Sequence, residues 1–153
     1  MQDPYHIKKQ LLDTCREYVD QRLQKLRSQI KSLEESLNSE TKSSAGDKHE
    51  TGRAMVQLER EKSGRQLFEA EKLEKLISKV SIENHSEVIK LGSLVITSQV
   101  NYFIAISVGK VEVKNVSYYA IAPDTPIGKL LLGKKVDDEV IFNRSCFRIL
   151  KIE

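Results

Sequence analysis

Apolar residues in the first part of the chain recur with the spacing of a paired helix. From Val19 to Leu37 they follow one another in alternating steps of four and three residues, and neither Gly nor Pro occurs from Ile7 to Leu37. An average step of about 3.5 residues is typical of a coiled-coil seam. The pattern predicts a helix over 7–37, about 46 Å long. Its apolar positions are Leu12, Cys15 or Arg16, Val19, Leu23, Leu26, Ile30, Leu33 and Leu37.

A second helical pattern follows a break at 38–46, where small polar residues and Gly46 predict a turn. This stretch covers 47–80 and is poorer in apolar residues near its middle. Two long helices joined by a short turn predict an antiparallel hairpin. A hairpin of this kind also serves as a spacer or a dimerisation element in many proteins. The apolar positions are Met55, Leu58, Leu67, Ala70, Leu73, Leu76, Ile77 and Val80, with Lys62, Gly64 and Gln66 near the expected seam.

After a linker at 81–86 the period changes to two. Runs rich in β-branched and aromatic residues predict strands at 94–97, 102–108, 111–116, 118–121, 140–142 and 146–152. Thr125–Gly133 predicts a short helix, since Pro126 suits a first turn and Gly133 a C-terminal cap. We therefore expect an α+β fold with a hairpin at 1–80, its tip at about 38–50, and an antiparallel sheet crossed by one helix at 87–153. Because so small a sheet module is marginal alone, we expect the hairpin base to pack on it.

Charge is abundant but evenly spread. Charged residues make up 31% of the 153 positions, yet the net charge is only +3. Residues 1–37 carry seven basic and six acidic side chains, and residues 47–80 carry eight and seven. A protein that holds nucleic acid mainly through phosphates needs a concentrated positive field. The distribution therefore favours a protein partner over free DNA.

Other features indicate a soluble, cytoplasmic protein without a membrane partner. Cys15 and Cys146 lie near opposite ends of the chain and form neither a disulfide framework nor a zinc motif. The first residues lack a secretory pattern, and the apolar runs fall short of the roughly 20 residues that span a bilayer.

Two motifs of the sequence together resemble those of one protein family. Gly46-Asp47-Lys-His-Glu50, between the predicted helices, is similar to the family's Gly-Asp-x-x-Glu tip. The stretch 121–140, with Asp124-Thr125-Pro126 and a Leu-x-Gly-Lys ending, resembles the family's C-terminal signature. The resemblance is to the Gre family of bacterial transcript-cleavage factors; it covers nearly the whole chain and implies that the sheet module is FKBP-like. Because the sequence shows no aromatic-lined pocket pattern, isomerase activity is not expected.

The resemblance also implies a function. A factor of this kind is not itself an enzyme: it docks on RNA polymerase, inserts its coiled coil into the secondary channel and stimulates the polymerase's own cleavage of backtracked RNA. Asp47 and Glu50 would help hold a Mg²⁺ ion shared with the polymerase active site and not bound by the isolated protein. Asp124, Thr125 and Pro126 would dock on the polymerase; these residue types also suit a turn and a helix cap, and both roles stay open.

The residue types at the tip fit this chemistry. Mg²⁺ prefers oxygen ligands and commonly takes only one or two carboxylates from a protein, and a two-metal site stabilises both the attacking and the leaving oxygen. The same Asp-x-x-Glu spacing also forms a helix capping box, and both roles stay open for Asp47. Lys42, Lys48 and Arg53 surround the tip and are either contacts for RNA phosphate or solvated charges.

The expected partners are RNA polymerase and the 3′ end of the nascent RNA, with weak DNA association only through the elongation complex. The protein itself is expected to be a monomer. Two alternatives remain open: a Gre-like regulator or inhibitor that binds polymerase without cleavage, and a coiled-coil adaptor for another protein. The presence of both Asp47 and Glu50 favours the cleavage factor over the regulator.

Overall fold

The chain forms a long helical hairpin followed by a six-stranded, mostly antiparallel sheet, which confirms the predicted α+β class. The computed structural model describes residues 3–42 and 46–153. At 40–42 and 46–50 it describes the helical backbone but not the side chains. The elements are α1 (Pro4–Lys42), α2 (Gly46–Ser78), β1 (Leu94–Thr97), β2 (Asn101–Ile104), β3 (Gly109–Val113), β4 (Val116–Ile121), α3 (Pro126–Leu131), β5 (Glu139–Phe142) and β6 (Ser145–Ile152). Two compact units result: Val19–Glu74, and Met1–Tyr18 with Lys75–Glu153.

Helix α1 is longer than predicted at both ends. Pro4 takes the first helical position, where a backbone N–H is not needed, and the Asp3 carboxylate accepts a hydrogen bond from the Tyr5 N–H at 3.1 Å. At the other end, residues 38–42 of the predicted break continue the helix. None of these five residues is Gly or Pro, so nothing in them forces the helix to stop.

In the Val19–Glu74 unit, α1 buries its predicted seam. Val19, Leu23 and Leu26 are at most 4% exposed, and Ile30 is 8% exposed. The heptad spacing therefore identified the packed face of this helix correctly.

The seam of α2 differs from the prediction. Met55 and Leu58 are 64% and 65% exposed, so their assignment to the packed stripe is wrong. The buried and half-buried positions follow steps of four and three through Val56, Arg60, Ser63, Leu67 and Ala70. Polar residues can occupy this register because the Arg60 guanidinium pairs with the Glu34 carboxylate of α1 at 3.2 Å. Met55 and Leu58 lie outside that register.

The sheet has the strand order β3-β4-β2-β1-β6-β5. All neighbouring strands are antiparallel except β2 and β4, which run parallel with Ile104 opposite Ile121. The prediction of a fully antiparallel sheet is thus wrong at this pair. The predicted strand at 102–108 ends at Ile104, and the chain then crosses to the edge strand β3 before β4 returns beside β2.

A tight turn divides the run predicted as one strand at 111–116. Lys114 and Asn115 take left-handed backbone conformations, with φ of 50° and 67°. Two consecutive residues in this region produce the kind of turn that joins adjacent antiparallel strands. β3 therefore ends at Val113, and β4 starts at Val116.

The core of this unit has two sides. On one, Ile127 and Leu131 of α3 join a cluster with Ile89, Val95, Ile104, Val140, Phe147, Ile149 and Ile152. On the other, Leu11 and Cys15 of α1 are fully buried, and the Cys15 thiol contacts the Ile106 backbone. Burial raises the pKa of the Cys15 thiol to about 11, which keeps it protonated and inert. The expected packing of the hairpin base on the sheet module is confirmed.

Candidate functional site

The acidic tip lies at the start of α2. Helix α2 begins at Gly46, so Asp47 and Glu50 belong to its first turns. Their side chains, like those of Lys42 and Lys48, are outside the described part of the structure. The roles of these four residues as metal ligands and RNA contacts therefore stay predictions. Arg53, the next residue in this group, lies on α2 and is half-buried.

The loop before α3 is built around the Thr125 side chain. Its hydroxyl donates a hydrogen bond to the Ala122 carbonyl at 2.7 Å and accepts one from the Gly128 N–H at 3.1 Å. Thr125 thus caps the N-terminus of α3, and the same hydroxyl connects the helix to Ala122 at the start of the loop. Thr125 was predicted to contact a protein partner, and in the structure its hydroxyl is hydrogen-bonded within the chain, to Ala122 and Gly128.

Gly128 is required where the helix meets this loop. A side-chain carbon at Gly128 would collide with the Ala122 carbonyl oxygen and would lie 2.9 Å from the Thr125 hydroxyl oxygen. The first turn of α3 can therefore approach the preceding strand end only because position 128 lacks a side chain. Each residue of the Thr-Pro-x-Gly sequence thus has a role in local structure. Thr125 caps the helix, Pro126 occupies its first turn, and Gly128 allows the close approach to the preceding strand end.

The residues on the outer side of this loop are available for binding. Asp124 and Pro126 are exposed, whereas Ile127 and Leu131 are buried beneath them in the core. Leu130 is 40% exposed and lies one helical turn after Pro126, so the two share a face of α3. We name Asp124, Pro126 and Leu130 the α3 surface. Leu130 was missed because a leucine in a short helix is normally assigned to the core.

Aromatic side chains form a band across the sheet. The ring of Tyr102 on β2 lies 6.5 Å from that of Tyr119 and 6.2 Å from that of Phe147. Tyr118 is 4% exposed and Tyr119 is 36% exposed, which confirms the expected alternation of one inward and one outward ring. Burial, and then the neighbouring Tyr119, raise the pKa of Tyr102, so its hydroxyl stays protonated near neutral pH.

A polar groove runs along the hairpin beside its ion pair. Ser28 and Ser32 of α1 and Ser63 and Gln66 of α2 are among the residues that line it, and Ser63 is only 5% exposed. Small side chains at these positions leave a groove of about 460 Å³. The sequence predicted few apolar residues in this part of the α2 seam, but it did not predict a groove.

Comparison with known proteins adds no family assignment. Neither the known family models nor the curated protein sequences match this chain. Among the described residues, no helix is both long and apolar enough to cross a membrane. The two motifs at the tip and around α3 therefore carry the functional argument.

Proposed function

We propose that this protein is a Gre-type accessory factor that binds RNA polymerase and stimulates cleavage of backtracked nascent RNA. The observation that carries the proposal is a long helical hairpin whose second helix begins with Gly46-Asp47-x-x-Glu50. The stretch 121–140, which resembles the family's C-terminal signature, supports it independently. In this proposal the protein is not an enzyme, and it works in the cytoplasm, where its polymerase is.

The hairpin supplies reach and stiffness. Helix α2 has 33 residues and is therefore about 50 Å long. Packing of Val19, Leu23 and Leu26 along the seam supports a rod that keeps its shape inside a channel. A stiff rod matters because a small misplacement of catalytic groups is enough to reduce the rate strongly.

The donor set at the tip fits a hard cation. Asp47 and Glu50 are carboxylates three positions apart, and they are the residues that would hold Mg²⁺ together with groups of the polymerase. When bound there, the ion would supply activation of water and stabilisation of the leaving oxygen. Lys42, Lys48 and Arg53 would hold the RNA phosphates near the carboxylates.

The sheet module provides the attachment. We propose that it is an FKBP-like module that docks on the polymerase through the α3 surface, with Asp124 as the polar contact and Pro126 and Leu130 as the apolar ones. Docking and chemistry would then be separate, because the binding residues follow the hairpin in sequence and include none of the tip residues.

The test uses a backtracked elongation complex of the cognate polymerase. Asp47→Asn and Glu50→Gln each remove a charged ligand while keeping size, so each should slow RNA cleavage strongly with polymerase binding nearly intact; every 1.4 kcal/mol of lost transition-state stabilisation costs about tenfold in rate. The matched control is Glu35→Gln on the exposed surface of α1, which should cleave like wild type.

The outcomes distinguish the open alternatives. Wild-type cleavage by the Asp47→Asn, Glu50→Gln double variant would refute metal holding and leave the capping box as the role of these residues. Polymerase binding without cleavage by the wild-type protein would support the regulator. Failure to bind polymerase would favour the coiled-coil adaptor.

A further inference from the structure

A second heptad stripe runs along the exposed side of α2, away from the seam. Leu58 and Phe68 on this stripe are 65% and 59% exposed. Its positions follow steps of four and three, the spacing of a coiled-coil contact face. The stripe consists of Ala54, Leu58, Glu61, Arg65, Phe68 and Lys72, all exposed.

The stripe lies on the opposite side of the helix from the packed positions. Arg60, Ser63 and Ala70 belong to the seam. At about 100° per residue, Leu58 and Arg65 lie roughly half a turn from the seam. Among the described residues of its own unit, the hairpin therefore leaves this face of α2 exposed.

The order of residues on the stripe is symmetric about Ser63. Leu58 and Phe68 lie five residues before and after it, and Glu61 and Arg65 lie two residues before and after it. If two α2 helices run antiparallel and cross at this position, Leu58 of each copy faces Phe68 of the other. Glu61 of each then faces Arg65 of the other. The Leu58–Phe68 contact and the Glu61–Arg65 ion pair therefore each form twice, as an isologous interface requires.

We propose that this stripe is a self-association surface, on which a second copy of this chain binds antiparallel through α2. Self-complementarity is the reason for choosing a second copy, because a surface for a different protein has no need of opposite charges placed symmetrically about one residue. The proposal does not depend on the polymerase-directed function. The monomer expected from the sequence is then the form at low concentration.

The shape of the surface fits this arrangement. Gly64 has no side chain, and an open depression lined by Glu61, Gly64, Arg65 and Phe68 lies beside it. Leu58 of the second copy, placed opposite Phe68, can occupy this depression. The Lys72 ammonium lies 4.6 Å from the centre of the Phe68 ring and pairs with Glu69, so it covers one edge of the contact.

The first experiment measures mass against concentration by sedimentation equilibrium of the full chain, with reductant present because Cys146 is exposed. We expect a monomer–dimer equilibrium at concentrations up to about 100 µM. Arg65→Glu places two pairs of carboxylates opposite each other and should raise the dimer Kd by about tenfold or more. Glu35→Arg, a charge reversal on the exposed surface of α1, is the control and should leave the Kd unchanged.

A mixing experiment tests the register. The Glu61→Arg variant presents two arginines and the Arg65→Glu variant presents two glutamates, so each should be monomeric alone and the equimolar mixture should form a heterodimer. All substitutions are on exposed positions, and circular dichroism verifies that each variant is folded.

Three results would overturn the proposal. They are a monomer at every concentration, a dimer that Arg65→Glu does not weaken, and a mixture that stays monomeric. The second would place the contact elsewhere on the chain, and the third would mean that Glu61 and Arg65 do not face each other.

Discussion

Replacing Thr125 with valine tests whether this residue holds the loop before α3 from within. Valine keeps the shape of the side chain but removes the hydroxyl that donates to Ala122 and accepts from Gly128. Loss of a helix N-cap costs about 1 kcal/mol, and loss of the second hydrogen bond costs about as much again. We therefore expect the free energy of unfolding to fall by about 2 kcal/mol. Thr125→Ser keeps both hydrogen bonds and is the matched control, expected within about 0.5 kcal/mol of wild type.

Urea titration followed by tyrosine fluorescence measures this difference. The chain has no Trp, and three of its five tyrosines, Tyr102, Tyr118 and Tyr119, lie in the sheet that α3 packs on. Their signal therefore reports the unit in which the change is made. If Thr125→Val is as stable as Thr125→Ser, the two hydrogen bonds contribute nothing measurable, and the structural explanation of the Thr-Pro-x-Gly element is wrong.

Three further predictions concern the metal, the docking residues and a buried charge. Titration calorimetry on the isolated protein should detect only weak Mg²⁺ binding, because Asp47 and Glu50 cannot enclose an ion that keeps its waters; a tight stoichiometric site would contradict this. Asp124→Asn with Pro126→Ala should raise the concentration for half-maximal RNA cleavage with little change in the saturating rate, and unchanged binding by the folded variant would locate the docking surface elsewhere. Burial lowers the pKa of Lys8 from 10.5, so at this group the unfolded chain binds more protons and the contribution of Lys8 to stability rises as the pH approaches that value, whereas the raised pKa of the buried Cys15 thiol acts in the opposite direction. The urea midpoint of the wild type should therefore rise relative to that of Lys8→Met as the pH is raised towards 10.5, and a difference that does not change with pH would refute the contribution of Lys8.

The candidate site divides between what local sequence specifies and what it leaves undetermined. Thr125 and Pro126 act within a few residues of the chain, so their roles as cap and first-turn residue could be inferred from type and spacing, whereas the close approach of Gly128 to the Ala122 carbonyl was found only in the structure. Exposure of Leu130 could not, because it depends on which face of α3 the sheet covers. The acidic tip is known from sequence alone, since the side chains at 40–50 lie outside the described residues.

Elements whose pattern repeats within a few residues could be predicted from the sequence. The heptad seam of α1 and the strand at Leu94–Thr97 both lie where apolar periodicity predicted them. Periodicity specifies which face of an element is apolar, and this is sufficient where the apolar face is the packed face.

Pairings between residues far apart in the sequence could be read only from the three-dimensional fold. Arg60 occupies the α2 seam because Glu34, 26 residues earlier, neutralises it, and an apolar pattern cannot register an ion pair. Because only apolar residues were used to locate the α2 seam, Met55 and Leu58 were assigned to the wrong face. The parallel pairing of β2 with β4 depends on the route of the chain through β3, and the two strands carry no signal of their direction. The local pattern shows which residues are apolar and therefore favour burial. Which residues bury them depends on contacts between parts of the chain that are far apart in sequence.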